Sequence, residues 1–358
     1  MQTFHTTVGL GLGSRAAWEQ LAIALNQAKV EARELGQEEE LGDSLETIPR
    51  AAQVPGQLAL QELQEVEQYL GEATSCSLHP LHRLLHTLVE CYNVSYGGVR
   101  SHPTLLPHAL QELSSITSRL YQAVRCLFPG LSSPDAPHRL QGEGVEDGRV
   151  VTPPSLLHPL LLPALHPTVF TMFALREARQ DAVYWERILR WNKHPDSTLL
   201  IFLDVDPQFY LEELSTFRPR ESQRDRHFLP AIHTLQQLKT TFTPTQKLVV
   251  IGDMFRAITE SSKSVTWSMD TLLPVCMYVV VRARLLQLGA ELAMLQELME
   301  DFLFQVFALH ISHCPSFYRT DLSQVWHCNP PLQGEQGIML TTLLAAYHQM
   351  LRESIFIN

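Results

Sequence analysis

The chain is predicted to be all-α, and three observations carry that prediction. Apolar residues recur at helical spacing, Thr or Ser with Pro stands at the heads of apolar segments, and no segment shows the clear apolar–polar alternation of a half-buried strand. In chain order, a first helix begins near Arg15 and leads into an acidic linker, roughly Glu34 to Gln57, punctuated by Gly42, Pro49 and Pro55. Leu84, Leu85, Leu88 and Val89 mark the next helix, and Leu110, Leu113, Leu120, Val124 and Leu127 place an amphipathic helix over Pro107 to Phe128. A second linker, Pro129 to Pro154, has Pro and Gly turn chemistry without apolar periodicity. Thr243 followed by Pro244 is a cap plus a first-turn proline, and Leu248, Ile251, Phe255 and Ile258 continue it as one face. The substring Leu248 to Asp253 could pass for a strand leading to a phosphate loop, but the cap, the length and the continuing period decide for helix. Leu340, Leu343, Leu344, Tyr347 and Leu351 give the last helix the same stripe.

Composition narrows the function classes. With 358 residues there is chain enough for one large or two medium cores, and 45% hydrophobic against 18% charged residues argues against disorder over most of it. A net charge of −11 is the opposite of a nucleic-acid-binding surface. The six cysteines form no CxxC pair and several fall inside apolar helical patterns, as buried reduced thiols of a cytosolic protein do. No signal-peptide pattern opens the chain, and no run is read as approaching a membrane span.

Several groupings mimic sites. Gly9, Gly11 and Gly13 resemble a dinucleotide fingerprint but lack a strand–helix context. His82 and His86 share a helix face without a third ligand, and His310, His313, Cys314, His327 and Cys328 fit no zinc-module spacing, so no metal and no cofactor are expected. Arg218, Arg220, Arg224 and Arg226 alternate with Glu221 and Asp225 and read as a solvated loop. No Ser/His/Asp or Cys/His arrangement has the local signature of a hydrolase.

The most informative stretch is Trp267 to Arg284. Ser or Asp ahead of a Pro-containing first turn marks a helix start, and the run after Pro274 is apolar all round, so this helix should be buried except at its mouth. Asp270 at that mouth is either a helix cap or a carboxylate offered to a partner.

The pattern Asp270-x-x-x-Pro274-Val275-x-x-Tyr278-Val279-Val280-x-x-Ala283, with Gly334-Glu335-Gln336-Gly337 and Leu340-Thr341-Thr342-Leu343 after it, resembles the VPS-9 domain, the catalytic module of exchange factors for Rab-5-type GTPases. Trp185 to Lys193, Phe242 to Leu248 and Leu81 to Val99 are similar to the C-terminal part of the alsin family. The resemblance implies a layered helical VPS-9-type domain over 194–354, preceded by a helical bundle region: a lead-in at 156–193 and an alsin-like region at 58–130. An N-terminal helix and linker (1–57) and the linker at 131–155 complete the division. It also implies roles. Asp270 matches an aspartate finger that enters the phosphate and Mg²⁺ site, while Pro274, Gly337, Ile338 and Thr341 match positions that shape or line the GTPase-binding groove.

Exchange needs no covalent step. A nucleotide held at about picomolar affinity is bound by about 16 kcal/mol, and a thousandfold acceleration of its release needs about 4 kcal/mol. A carboxylate competing with phosphate for the P-loop lysine can supply this. Two departures from the family pattern point to a weak exchange factor: Ile338 stands where many members carry Tyr, and Phe302 to about Pro331 is an apolar insertion. The alternative is a non-catalytic module that binds the GTPase, an alsin-type homologue or a second copy. Either way the expected setting is the cytoplasm, with recruitment to early endosomes and vesicles.

Overall fold

The computed structural model describes residues 14–36, 59–133, 139–140, 149–209, 228–261, 267–311 and 331–352. Among them are eleven α-helices. These are α1 (Ser14–Leu35), α2 (Leu60–Ser75), α3 (Pro80–Tyr96), α4 (Leu106–Leu127), α5 (Pro153–Trp191), α6 (Asp196–Phe202), α7 (Leu229–Gln236), α8 (Pro244–Glu260), α9 (Met269–Ala283), α10 (Leu288–Ile311) and α11 (Pro331–Arg352). The class is all-α. One detail differs from expectation: inside the second linker, β1 (Arg139–Leu140) and β2 (Arg149–Val150) pair antiparallel, a two-residue ribbon too short to leave an alternating pattern. The glycines at 9–13 and the arginines at 218–226 lie outside the described residues, as do His313, Cys314, His327 and Cys328.

The described residues divide into two compact units, one taking those up to Met172 together with 300–311, the other Phe173–Met299 and α11. In the first, α1 buries Leu21, Leu25, Ala28 and Ala32, one stripe at helical spacing, against α3 and α4. The helix expected over Pro107 to Phe128 runs one residue earlier, with Pro107 in its first turn. Its buried stripe is Ala109, Leu113, Ile116, Leu120, Val124 and Leu127, so Leu110 sits at the edge of the face. Two buried hydroxyls of this unit are satisfied: Tyr92 donates to the Ala109 carbonyl at 3.0 Å and Tyr121 to that of Ser132 at 3.0 Å.

His79, with no exposed surface, caps α3: its Nδ1 accepts from the Leu81 N–H at 3.1 Å, and its Nε2 lies 3.3 Å from the Tyr69 hydroxyl. Only the neutral ring with its proton on Nε2 can do both. Burial, reinforced by the neighbouring His82, pushes the His79 pKa down to about 4, and burial alone does the same to His158. Both folded values are depressed, so the stability they contribute is whole above the unfolded pKa of about 6.5 and is lost as pH falls towards 4. At pH 5 each should cost about 2 kcal/mol, which a melting temperature measured at pH 7 and pH 5 will show as a marked fall. A flat profile would mean the rings are not buried neutral.

Helix α5 corrects one expectation. It contains an 18-residue window of mean hydropathy 1.3, long and apolar enough to cross a membrane by length and composition, and the bent pair Thr271–Ala283 and Leu288–Met299 passes the same test together. In the fold 61% of the α5 window is buried, because Leu156, Leu157, Leu161, Leu162, Leu165, Val169 and Met172 fill the first unit. Pro159, Pro163 and Pro167 interrupt the run on paper, yet the helix continues through them. All three are on its exposed side, where water can bond the carbonyls that lose a partner.

The second unit is built around α9, whose residues Val275–Val281 are all buried, with α6, α7 and α11 packed on it and α8 against α7 and α11. Thr243 caps α8, accepting from the Gln246 N–H at 3.3 Å, and Leu248, Ile251, Phe255 and Ile258 are buried, so this segment is the helix expected rather than a strand. Polar bonds lock the helices together. Asp181 of α5 accepts from the first amides of α10, Gly289 at 2.8 Å and Ala290 at 3.1 Å, and from the Tyr347 hydroxyl of α11 at 3.0 Å. Lys247 of α8 pairs with Glu291 of α10 at 2.6 Å, both buried. Arg282 of α9 donates to the His194 carbonyl at 2.9 Å and pairs with Asp196 at 2.5 Å. The backbone of α10 continues without a break through residues 302–311, so the apolar segment there extends the preceding helix.

Candidate functional site

The site is built where α9 begins. Ser268 is the N-cap: its hydroxyl accepts from the Thr271 N–H at 3.3 Å, while Thr271 Oγ1 accepts from the Ser268 N–H at 3.0 Å. The cap position is therefore taken by Ser268, and Asp270 is the second residue of the helix. Pro274 lies inside the helix, not in its first turn. With no N–H it cannot bond the Asp270 carbonyl, so the turn carrying Asp270 is held by the capping box more than by the ladder that follows.

The other expected residues lie on helix α11, which packs on α9. Arg187 of α5 donates through Nη1 to the Met350 carbonyl, and Asn192, the residue after α5, donates to the Val281 carbonyl at 2.7 Å. The C-terminal ends of α11 and α9 are thus both bonded to the end of α5, and the two helices pack on one another. Thr271 precedes Val281 by 10 residues and Thr341 precedes Met350 by 9, about 15 and 14 Å at the helical rise. Reckoned along two packed helices from those anchors, the first turn of α9 falls at about the level of residues 337–341. Gly337 and Thr341 are exposed; Thr271, Leu272, Leu273, Pro274, Ile338, Met339 and Leu340 are half-buried. This is an apolar strip, open to solvent, with a carboxylate-bearing turn at its side. Thr341 bonds its hydroxyl to the Gly337 carbonyl at 2.8 Å, leaving its methyl and backbone face to line the strip.

Two signals were not read from sequence. Helix α11 starts at Pro331, so Gly334 and Gly337 lie inside it. Around Gly337 nothing lies within 4 Å of where a Cβ would be, so the fold itself does not require glycine there. Gly337→Ala is expected to stabilise the free protein by about 0.5–1 kcal/mol while weakening the binding of any partner whose backbone approaches that face. Denaturation and binding measured on the one variant separate the two effects; unchanged binding would remove Gly337 from the interface. Second, Gly252 of α8 faces Met339 of α11, its built Cβ 4.0 Å from the sulfur, which places α8 along the strip as well.

The metal-like pair resolves as packing. His82 Nδ1 bonds the Thr74 carbonyl at 2.6 Å and its ring stacks on His86. Among the described residues no group of three metal-ligating side chains occurs.

Residues 228–354, which contain all of α9 and α11, match the vacuolar sorting protein 9 (VPS9) domain family. Residues 38–166 match the alsin helical array domain family. It is 35% identical to human alsin over 371 residues, covering 95% of this chain and 20% of alsin. It is 34% identical to the mouse ALS2 C-terminal-like protein over 247 residues, 66% of this chain and 25% of that protein. A Drosophila melanogaster alsin homolog is 29% identical over 251 residues, 67% of this chain and 16% of the homolog. The chain thus spans about a fifth to a quarter of the length of alsin and the ALS2 C-terminal-like protein.

Proposed function

We propose that this chain promotes nucleotide release from a Rab-5-type small GTPase, weakly, on the cytoplasmic face of early endosomes and vesicles. The observation that supports this is the VPS9 family match over 228–354, which takes in Asp270 on the first turn of α9 and the exposed Gly337 and Thr341 on α11, a helix packed against α9. In this reading the half-buried Leu272, Leu273, Ile338 and Met339 receive the apolar switch regions of the GTPase. Asp270 enters the phosphate site, competes for the lysine that held the β-phosphate and disfavours Mg²⁺. Pro274 and the Ser268–Thr271 box set the direction of that turn. Binding energy from the strip is realised most fully when nucleotide has left, which is catalysis by differential binding.

A second reading, a binding module without exchange activity towards the GTPase or an alsin-type partner, is favoured by one feature: Ile338 occupies a place where many VPS-9 domains carry Tyr, and one hydroxyl bond is worth about 1 kcal/mol. Release of fluorescent GDP from a panel of Rab GTPases, with the full chain added at increasing concentration, separates the readings. Accelerated release from Rab-5-type members supports exchange; tight binding with unchanged release supports the module.

A further inference from the structure

Helix α9 is tethered at both ends by one short piece of chain. At its C-terminal end Arg282 pairs with Asp196, the first residue of α6, and α6 packs along α9. After α6 the chain turns through Asp204, with φ of 58°, into a tight turn. There the Asp206 carboxylate accepts from the Gln208 N–H at 3.0 Å and the Asp206 carbonyl from the Phe209 N–H at 3.1 Å. That turn presents Phe209, which stacks on Trp267 with ring centroids 4.3 Å apart and planes at 19°. Trp267 immediately precedes the Ser268 cap, so residues 196–209 form a strap that is anchored at the last turn of α9 and closes on the residue ahead of its first.

This clasp answers a need created by Pro274. The turn carrying Asp270 lacks the ladder bond from residue 274 and would otherwise be free to fray at a helix start. Trp267 also stands at the position from which a hydrophobic staple reaches the half-buried Leu272. Its indole Nε1 is buried and has no hydrogen-bond partner among the described residues, while its face is covered by the Phe209 ring.

We infer that Trp267, clasped by Phe209, is a positioning residue that fixes the direction of the first turn of α9 and so of Asp270. The inference rests on the exchange reading for its kinetic consequence, but its structural consequence does not.

Two measurements on the full chain test it. In hydrogen–deuterium exchange, Trp267→Ala and Phe209→Ala should each speed exchange of the bonded amides from Thr271 to Leu273, with the Val275–Val281 core unchanged, and Trp267→Phe should restore protection. In the GDP-release assay on a responsive Rab, Trp267→Ala should lower the maximal rate about tenfold or more, leave the half-saturating concentration nearly unchanged and add nothing in an Asp270→Ala background. Trp267→Phe should recover the rate. Unaltered amide protection in Trp267→Ala overturns the inference, as does a rise in half-saturating concentration at constant maximal rate, which would make Trp267 a contact residue. If the parent chain releases GDP from no Rab, the exchange reading fails while the amide measurement still decides the clasp.

Discussion

Asp270→Ala should abolish GDP release while the protein stays folded. The expected loss is the whole acceleration the carboxylate supplies, at most about thousandfold, or about 4 kcal/mol of barrier, and less in proportion as exchange is weak. The stability cost should be small, because Ser268 and not Asp270 caps α9, and a second-position acid contributes about 0.3–1 kcal/mol through the helix dipole. Stopped-flow release of labelled GDP and a thermal melt on the same preparation provide the check. A folded variant that still releases GDP at the parent rate would remove Asp270 from the mechanism and leave the strip as a docking surface only.

Lys247→Ala should be the most damaging substitution for stability in the second unit. The Lys247 ammonium also donates to the Leu238 carbonyl at 2.9 Å, so it ties α8, the turn after α7 and α10 together. Burial pulls the lysine pKa down and pushes that of Glu291 up, and the mutual attraction of the pair opposes both shifts. Removing the lysine leaves a buried carboxylate without its counter-charge, a loss of about 3–5 kcal/mol. Replacing both partners by apolar residues of similar volume should recover most of it, since the cost lies in the orphaned charge. Urea denaturation of the single and double variants measures this. A single variant within about 1 kcal/mol of the parent would show that the pair is solvated.

The fold was legible in sequence where period and caps agreed. Thr243-Pro244 and the stripe from Leu248 to Ile258 placed α8 correctly, and the all-apolar run after Pro274 announced a helix buried on every side. Helix α5 was less legible, because three prolines at four-residue spacing normally break a helix, and only the tertiary fold shows that they share the solvent side. The locking bonds were not legible at all. Asp181 meets Gly289 and Tyr347 across more than a hundred residues, and no local pattern marks such a partner. For the site, residue types and order pointed to the first turn of α9. Which residue caps that turn, and what clasps it, depended on neighbours that are distant in sequence.

Helix α5 also bears on how this protein can be cut. The family match begins at residue 228, and a fragment made to that boundary would omit Tyr184, Ile188 and Trp191, three of the most deeply buried side chains in the second unit. It would also strand the amides of Gly289 and Ala290 and the carbonyls of Val281 and Met350, whose partners are Asp181, Asn192 and Arg187. Starting at 194 omits the same groups. The shortest autonomous piece must therefore begin near Phe173, and its first 19 residues, Phe173–Trp191, would be a scaffold strut that carries no recognition chemistry of its own. A truncation that behaves as aggregated or inactive for want of that strut says nothing about the catalytic competence of the intact chain.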